Sequence, residues 1–230
     1  MIIGTHGVAS YPRFEVAARD ARRSMTVNAR MLLCLLPDFD QVSITVVGDA
    51  GEISTLAQEG DLVADLDQLQ YGLGEGPGID SARNAYPVVA ADIQRDDRWQ
   101  RYVPAASELG LRSQVATPLR WHDDKPLGVL NIYSTTHSQV AFAAPVVAEV
   151  MAAQVVSALA ALREIEHLHD ELAERAVLGQ AIGLVMAWLH DDADRASDYL
   201  RSVARQQQRT LTQVSEELVH TRRLPPVRPE

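Results

Sequence analysis

Residues 113–134 read SQVATPLRWHDDKPLGVLNIYS. Two runs rich in apolar and β-branched residues, SQVATPLRW and PLGVLNIYS, flank the polar turn HDDK, which predicts a closing pair of strands. Upstream, QVSITVVG (41–48) alternates apolar and polar residues as a half-buried strand does. The turn GDAGE then leads to a second strand near ISTLAQ, completing a hairpin. An amphipathic helix over roughly 13–36 precedes these strands and ends at Pro37. Between the two strand pairs lie a short helical piece, the glycine-rich then strand-like YGLGEGPGIDSARNAYPVVAADI, and a short helix and loop in DDRWQRYVPAASELG. Strands at both ends of a variable middle predict an α+β domain with an antiparallel sheet.

Downstream, the character changes to continuous helix from about 142 to 190. Met151, Gln154, Ala158, Ala161, Ile165, Leu168 and Leu172 alternate in steps of three and four, the seam of a left-handed coiled coil. The Val147–Leu159 part is equally served by one helix lying across the sheet. Beyond Leu162 the outer faces are too polar for burial in a monomer, so a helical dimer linker is expected there, with Met151, Ala158, Ile165, Leu168 and Leu172 as its contacts. Two shorter helices follow. DADRASDYLRSVARQ places Ala196, Tyr199, Leu200 and Val203 on one face, with Asp191 or Asp192 as cap. TLTQVSEELVH sets Thr210 and Gln213 at capping-box spacing and aligns Leu211, Val214 and Leu218 for burial.

The 230 residues are 47% hydrophobic and carry a net charge of −10, the composition of a core-forming globular protein. The charge is unevenly spread. Residues 175–230 hold eight arginines and seven acids, against 13 basic and 24 acidic residues before them, which suggests two modules with different tasks. MIIGTHGVAS lacks the features of a secretory signal, and VVAEVMAAQVVSALAAL, interrupted by Glu149, Gln154 and Ser157, falls short of a membrane span. A soluble, cytoplasmic protein is therefore expected. Cys34 in MLLCLLP is the chain's one cysteine and is expected as buried filler.

Catalytic patterns are missing. The run Gly72-x-Gly74-x-Gly76-x-Gly78 fits neither a dinucleotide fingerprint nor a phosphate loop, and reads as a turn-rich loop with positive φ. Seven scattered histidines and one cysteine show no zinc-ligand spacing, and no G-x-S-x-G elbow marks a nucleophile. The pairs Asp96–Asp97 and Asp123–Asp124 read as solvated turn residues. No enzyme, metal or cofactor is expected.

The stretch from Gly72 to Ser134 strongly resembles the bacterial GAF sensor domain. The resemblance rests on the G-E-G-P element, the D-x-x-x-D-x-R-W stretch from Asp92 to Trp99, G-x-R-S at 110–113 and the L-G-x-L-N strand. It implies a six-stranded antiparallel sheet with helices on its faces, and a domain that binds a small-molecule or protein signal. LGQAIGLVM (178–186), LRSVARQQQRTL (200–211) and Val214–Ser215 resemble the ANTAR domain, a three-helix RNA-binding antiterminator module. Ile182, Ala204, Gln208 and Thr210 depart from that family's usual basic residue, Ser, Asn and Lys.

The two resemblances imply five segments: a flexible N-terminus (1–12), a GAF sensor domain (13–160), a coiled-coil linker (161–174), an ANTAR RNA-binding domain (175–222) and a flexible tail (223–230). They imply a homodimeric regulator that holds paired hairpins in nascent RNA and keeps a terminator from forming. Gln180, Ala181, Gly183, Arg201, Arg205, Arg209 and Thr210 are the implied RNA contacts. Small residues let a helix backbone approach an RNA loop, and Arg201 and Arg205, four apart, share a helical face for bidentate phosphate contacts. Ala181 and Gly183 would equally serve tight helix crossing within the bundle. The alternatives are a helix-turn-helix that reads duplex DNA and an interaction module without RNA binding.

Overall fold

The closing strand pair forms the middle of the sheet. In the computed structural model, which describes residues 12–47, 53–121 and 126–224, five antiparallel strands run in the order β2-β1-β5-β4-β3. They are β1 (Gln41–Val47), β2 (Ile53–Glu59), β3 (Val88–Ala90), β4 (Ser113–Arg120) and β5 (Pro126–Ser134). The six strands implied by the family resemblance are five among the described residues. The expected turns at 48–52 and 122–125, the segment 1–11 and the last six residues of the tail lie outside the described residues.

The chain divides into two units, Met1–Leu162 and Arg163–Glu230. In the first, strand alternation gives the sheet two unlike faces. Val42 and Ile44 of β1, Val115 and Leu119 of β4, and Leu130 and Ile132 of β5 belong to one apolar core. Successive side chains point to opposite faces, so Ser43, Thr45, Gln114, Asn131 and Tyr133 share the other, and all five are buried. Register aligns them: Ser43 faces Asn131, Asn131 also faces Ala116, and Tyr133 faces Gln114. Gly128 permits the central pairing. A Cβ there would lie 1.9 Å from the Thr45 carbonyl oxygen, a collision with backbone that no rotamer relieves.

Two helices contribute to the apolar core, α1 (Pro12–Leu35) through Met25, Ala29 and Leu32, and α5 (Ala144–Leu189) through Ala144, Ala148, Met151, Ala152 and Val155. The expectation that Val147–Leu159 crosses the sheet holds. Met151, expected on the dimer seam, is instead part of its own domain's core, and Ala158 packs against that core. Cys34 is exposed rather than buried. MLLCLL is apolar all round, so its periodicity could not tell the inner face from the outer one.

On the polar side lie α2 (Val63–Leu73), α3 (Pro77–Asn84), a single 3-10 turn at Ile93–Arg95 and α4 (Tyr102–Glu108). The glycine run is therefore helical at two of its four glycines and takes the expected positive φ at the other two. Gly72 lies in the last turn of α2, Gly74 caps it with φ 64°, Gly76 precedes α3 with φ 131°, and Gly78 lies inside α3. A second apolar cluster, including Val63, Leu66, Ile93, Trp99, Tyr102 and Leu111, seals this side.

By length and composition α5 contains a window apolar enough to cross a membrane, longer than the interrupted stretch read from sequence. Within the first unit the buried part of that helix packs in the sheet domain's core, as the core helix of a soluble protein does.

In the second unit the end of α5 packs with α6 (Ala193–Gln206) and α7 (Leu211–Thr221). Ala181 and Val185 meet Ala196, Leu200, Val203 and Ala204 of α6 and Val214 and Leu218 of α7. Asp192, not Asp191, caps α6, accepting from the Arg195 amide at 2.9 Å. Thr210 and Gln213 make the expected reciprocal capping box at the start of α7.

Candidate functional site

The implied RNA-contact residues take different places in the C-terminal unit. Ala181 is fully buried in the three-helix core, so packing accounts for its small size. Two residues on, Gly183 is exposed, and a Cβ built there meets nothing within 4 Å. Helix crossing therefore does not explain Gly183, and the surface at that point lies open along the backbone. Gln180 is exposed beside it.

Arg201 and Arg205 are both exposed on the face of α6 opposite Leu200, Val203 and Ala204. Arg201 lies 3.6 Å from Asp198, while Arg205 reaches only the Arg201 carbonyl and pairs with no carboxylate among the described residues. Arg209 differs. Its guanidinium pairs with Glu217, donates to the Gln213 carbonyl at 3.1 Å and to Gln207 Oε1 at 3.2 Å, and so bolts the α6–α7 turn. Thr210 is committed as the cap of α7, its hydroxyl accepting from the Gln213 amide at 3.1 Å. Gln208, where the family's usual residue is Asn, has φ 52°. Asn enters the left-handed region more readily than Gln, which gives that family preference a backbone reason.

Of the expected dimer contacts, Ile165, Leu168 and Leu172 are exposed, in a stretch where residues 163–170 are all exposed. Nothing in this chain covers their apolar side chains among the described residues.

A second site lies in the sensor-like unit. Asp67 of α2 is 3% exposed. Its Oδ1 accepts from Ser43 Oγ at 3.0 Å, from Asn131 Nδ2 at 3.4 Å and from the Tyr133 hydroxyl. Gln70 donates to the Tyr133 oxygen at 2.9 Å and accepts from the Gly78 amide at 2.7 Å. Gln114 bridges Gln70 and Asn131, and Tyr102 donates to Gln114 at 2.8 Å. Burial raises the Asp67 carboxyl to about 6, against the lowering effect of the hydrogen bonds from Tyr133, Ser43 and Asn131. The same burial, with the Asp67 charge nearby, raises the Tyr102 and Tyr133 phenols well above their usual range. Oδ2 of Asp67 has no hydrogen-bond partner among the described residues.

The family-like motifs tie down the segments around this cluster. Glu75 of G-E-G-P accepts from Arg101 Nε at 2.7 Å and from its amide at 3.0 Å, which lowers the Glu75 carboxyl. Trp99 donates to Asp80 of α3 at 2.8 Å, while Arg98 stacks over the Trp99 ring at 4.2 Å and pairs with Asp96. Asp96 is thus an ion-paired anchor rather than a solvated turn residue. Sequence reasoning missed the whole cluster. Its trace was alternate polar residues in three strands, which only strand register brings together.

A GAF domain model matches residues 16–160, and an ANTAR domain model matches residues 166–219. No curated protein matches the chain. Among solved structures, the chain is similar to the GAF domain region of a Geobacter sulfurreducens protein, at 16% identity and TM-score 0.54, over 64% of this chain and 97% of that one. It is similar to the GAF domain of a Coxiella burnetii phosphoenolpyruvate-protein phosphotransferase at 19% identity and TM-score 0.50, over 64% and 86%. Free methionine-R-sulfoxide reductase from Neisseria meningitidis, solved with its substrate, is similar at 17% identity and TM-score 0.50, over 70% and 98%. At these identities the likeness is one of fold.

Proposed function

This chain belongs to the GAF domain family, and we propose that it is a signal-responsive, RNA-binding transcription regulator. GAF is a sensory domain and ANTAR an RNA-binding antitermination module; both are regulatory rather than enzymatic. In this reading the C-terminal module holds paired hairpins in nascent RNA and prevents a terminator from forming. A homodimer joined along Ile165, Leu168 and Leu172 presents two modules at once, which raises avidity through effective concentration.

The observation that carries the reading is the exposed pair Arg201 and Arg205 within the ANTAR match, on a bundle whose α5 leaves its backbone open at Gly183. Guanidinium groups give planar, bidentate contacts to phosphate, and an open helix backbone admits a splayed RNA loop. Gln180 stands beside that opening. Arg209 and Thr210 shape the α6–α7 turn instead of contacting RNA. The buried cluster around Asp67 is the proposed signal-responsive part of the sensor domain.

The test is a fluorescence titration of a two-hairpin RNA with the full chain, repeated with duplex DNA. Preference for the RNA is expected. Equal or tighter binding to the duplex overturns the reading in favour of a DNA-binding regulator, and binding to neither leaves a protein-interaction module.

A further inference from the structure

Asp67 stands alone as a charge in the core of the sensor unit. Among the described residues it is the one buried carboxylate, and no Lys, Arg or His is buried with it. The elements packed on α2 are α4, β1, α3 and β2, and β5 reaches it through hydrogen bonds. β1 brings Ser43 and Thr45 to this side, β5 brings Asn131 and Tyr133, α4 brings Tyr102, and α2 itself adds Tyr71. The other charged groups on the packed elements are engaged elsewhere or face solvent. Glu59 of β2 pairs with Arg30, Asp80 of α3 accepts from Trp99, and Asp65, Arg83 and Glu108 are exposed. Phenols, hydroxyls and amides therefore surround the carboxyl, and no cation offsets its charge.

The seam between α2 and the sheet is polar. Val63 and Leu66 join the second apolar cluster, whereas Asp67, Gln70 and Tyr71 bond to Ser43, Tyr133 and Thr45. Water can replace such bonds at little net cost, so a polar seam parts more readily than an apolar one. Glycines at positive φ bound the helix on both sides, Gly60 at 113° and Gly74 at 64°, with Gly76 at 131° beyond. Such positions absorb the backbone rotation that a moving helix needs. The bonds across the seam are direct, Gln70 to Tyr133 at 2.9 Å and Ser43 to Asp67 at 3.0 Å. A proton needs no cavity to enter such a network.

We infer that the ligand of this site is the proton, and that α2 is the lid it operates: protonated Asp67 keeps α2 closed on the sheet, and ionised Asp67 releases it. The inference rests on the reading that the Asp67 cluster is the signal-responsive part of the protein. The closed form holds one proton more than the open form, in which the carboxyl meets water and gives that proton to solvent. With the carboxyl at about 6 when closed and at its ordinary 3.8 when open, opening becomes about tenfold more favourable from pH 5 to pH 7.

Hydrogen exchange read by mass spectrometry on the full chain tests this, at pH 5 and pH 7 and corrected for the intrinsic exchange rate. Wild type should show α2 less protected than β5 at both values, with its protection falling about tenfold at pH 7. Asp67→Asn, uncharged at either pH, should abolish that fall. Tyr133→Phe removes a donor that lowers the carboxyl and should move the transition to higher pH. Equal protection of α2 and β5 throughout means that only the whole domain opens, and overturns the lid. A fall that persists in Asp67→Asn overturns Asp67 as the trigger. The wild-type comparison of α2 with β5 decides on the lid even if a variant fails to fold. Titrating the two-hairpin RNA at both pH values tests the underlying reading separately. A lid that opens in exchange, with RNA affinity changing equally in wild type and Asp67→Asn, keeps the proton site and removes the cluster from signalling.

Discussion

Ser43 of β1 donates to Asp67 Oδ1 at 3.0 Å, while the second oxygen of the same carboxylate is buried without a partner among the described residues. The three donors to Oδ1 favour the carboxylate, but burial outweighs them and leaves the protonated acid favoured.

That burial predicts a pH dependence with a defined sign. The Asp67 carboxyl rises from 3.8 to about 6 on folding. The folded state therefore holds a proton that the unfolded chain has released, and stability falls as pH rises between these values, reaching its floor above about 6. The effect is on the order of 3 kcal/mol at most, from about 1.4 kcal/mol per pH unit. Glu75, whose carboxyl is lowered by its bonds from Arg101, works in the opposite direction at lower pH. Urea denaturation of wild type and Asp67→Asn from pH 4 to 8 isolates the Asp67 contribution. The variant should gain on wild type as pH rises, and parallel curves would remove Asp67 as the titrating group.

Glycine at 128 and glycine at 183 should respond in opposite ways to alanine. At 128 the new methyl collides with the Thr45 carbonyl, so Gly128→Ala should cost about 3 kcal/mol or more and separate β1 from β5. At 183 the methyl enters open space on a helix, where it should stabilise by up to about 1 kcal/mol. Thermal unfolding of both variants checks the pair. Gly183→Leu should melt like wild type yet bind RNA at least tenfold more weakly; unfolding instead would return Gly183 to a packing role.

The three arginines should divide between binding and stability. Arg201→Ala with Arg205→Ala should weaken RNA binding and lower the salt slope by about 2, with little change in melting. Arg209→Ala should leave the salt slope unchanged and destabilise the C-terminal bundle by about 1 kcal/mol, because it loses the contacts to Glu217 and the Gln213 carbonyl. A salt slope that falls with Arg209→Ala would place that side chain on RNA after all.

The strained turn offers a stabilising change. Gln208 holds φ 52°, so Gln208→Gly should raise stability by roughly 0.5–1 kcal/mol through relief at that residue, and Asn should act in the same direction. An unchanged or lowered melting temperature for both would show that the backbone at 208 is not the source of strain.

Much of this architecture follows from local order along the chain. The period-two pattern of β1 and of the 113–134 pair, the capping box at Thr210 and Gln213, and the buried positions of α6 and α7 are all short-range properties. They remain true wherever the elements are placed. The glycine run was legible in part: Gly74 and Gly76 take the expected positive φ, yet Gly72 and Gly78 are helical, the Gly78 amide donating to Gln70 within α3.

Long-range packing decided the rest. Periodicity could not say that Met151 belongs to a core while Leu168 does not, since both satisfy the same spacing and differ only in having a sheet beside them. Nor could it separate Ala181 from Gly183, two residues apart in one helix, of which one meets α6 and α7 and the other meets nothing. The cluster around Asp67 draws one or two residues each from β1, α2, α4, β4 and β5, and no segment carries enough of it to be recognised alone. Hydrogen bonding and burial act between side chains that register and topology bring together; a linear pattern records only which face each residue can reach.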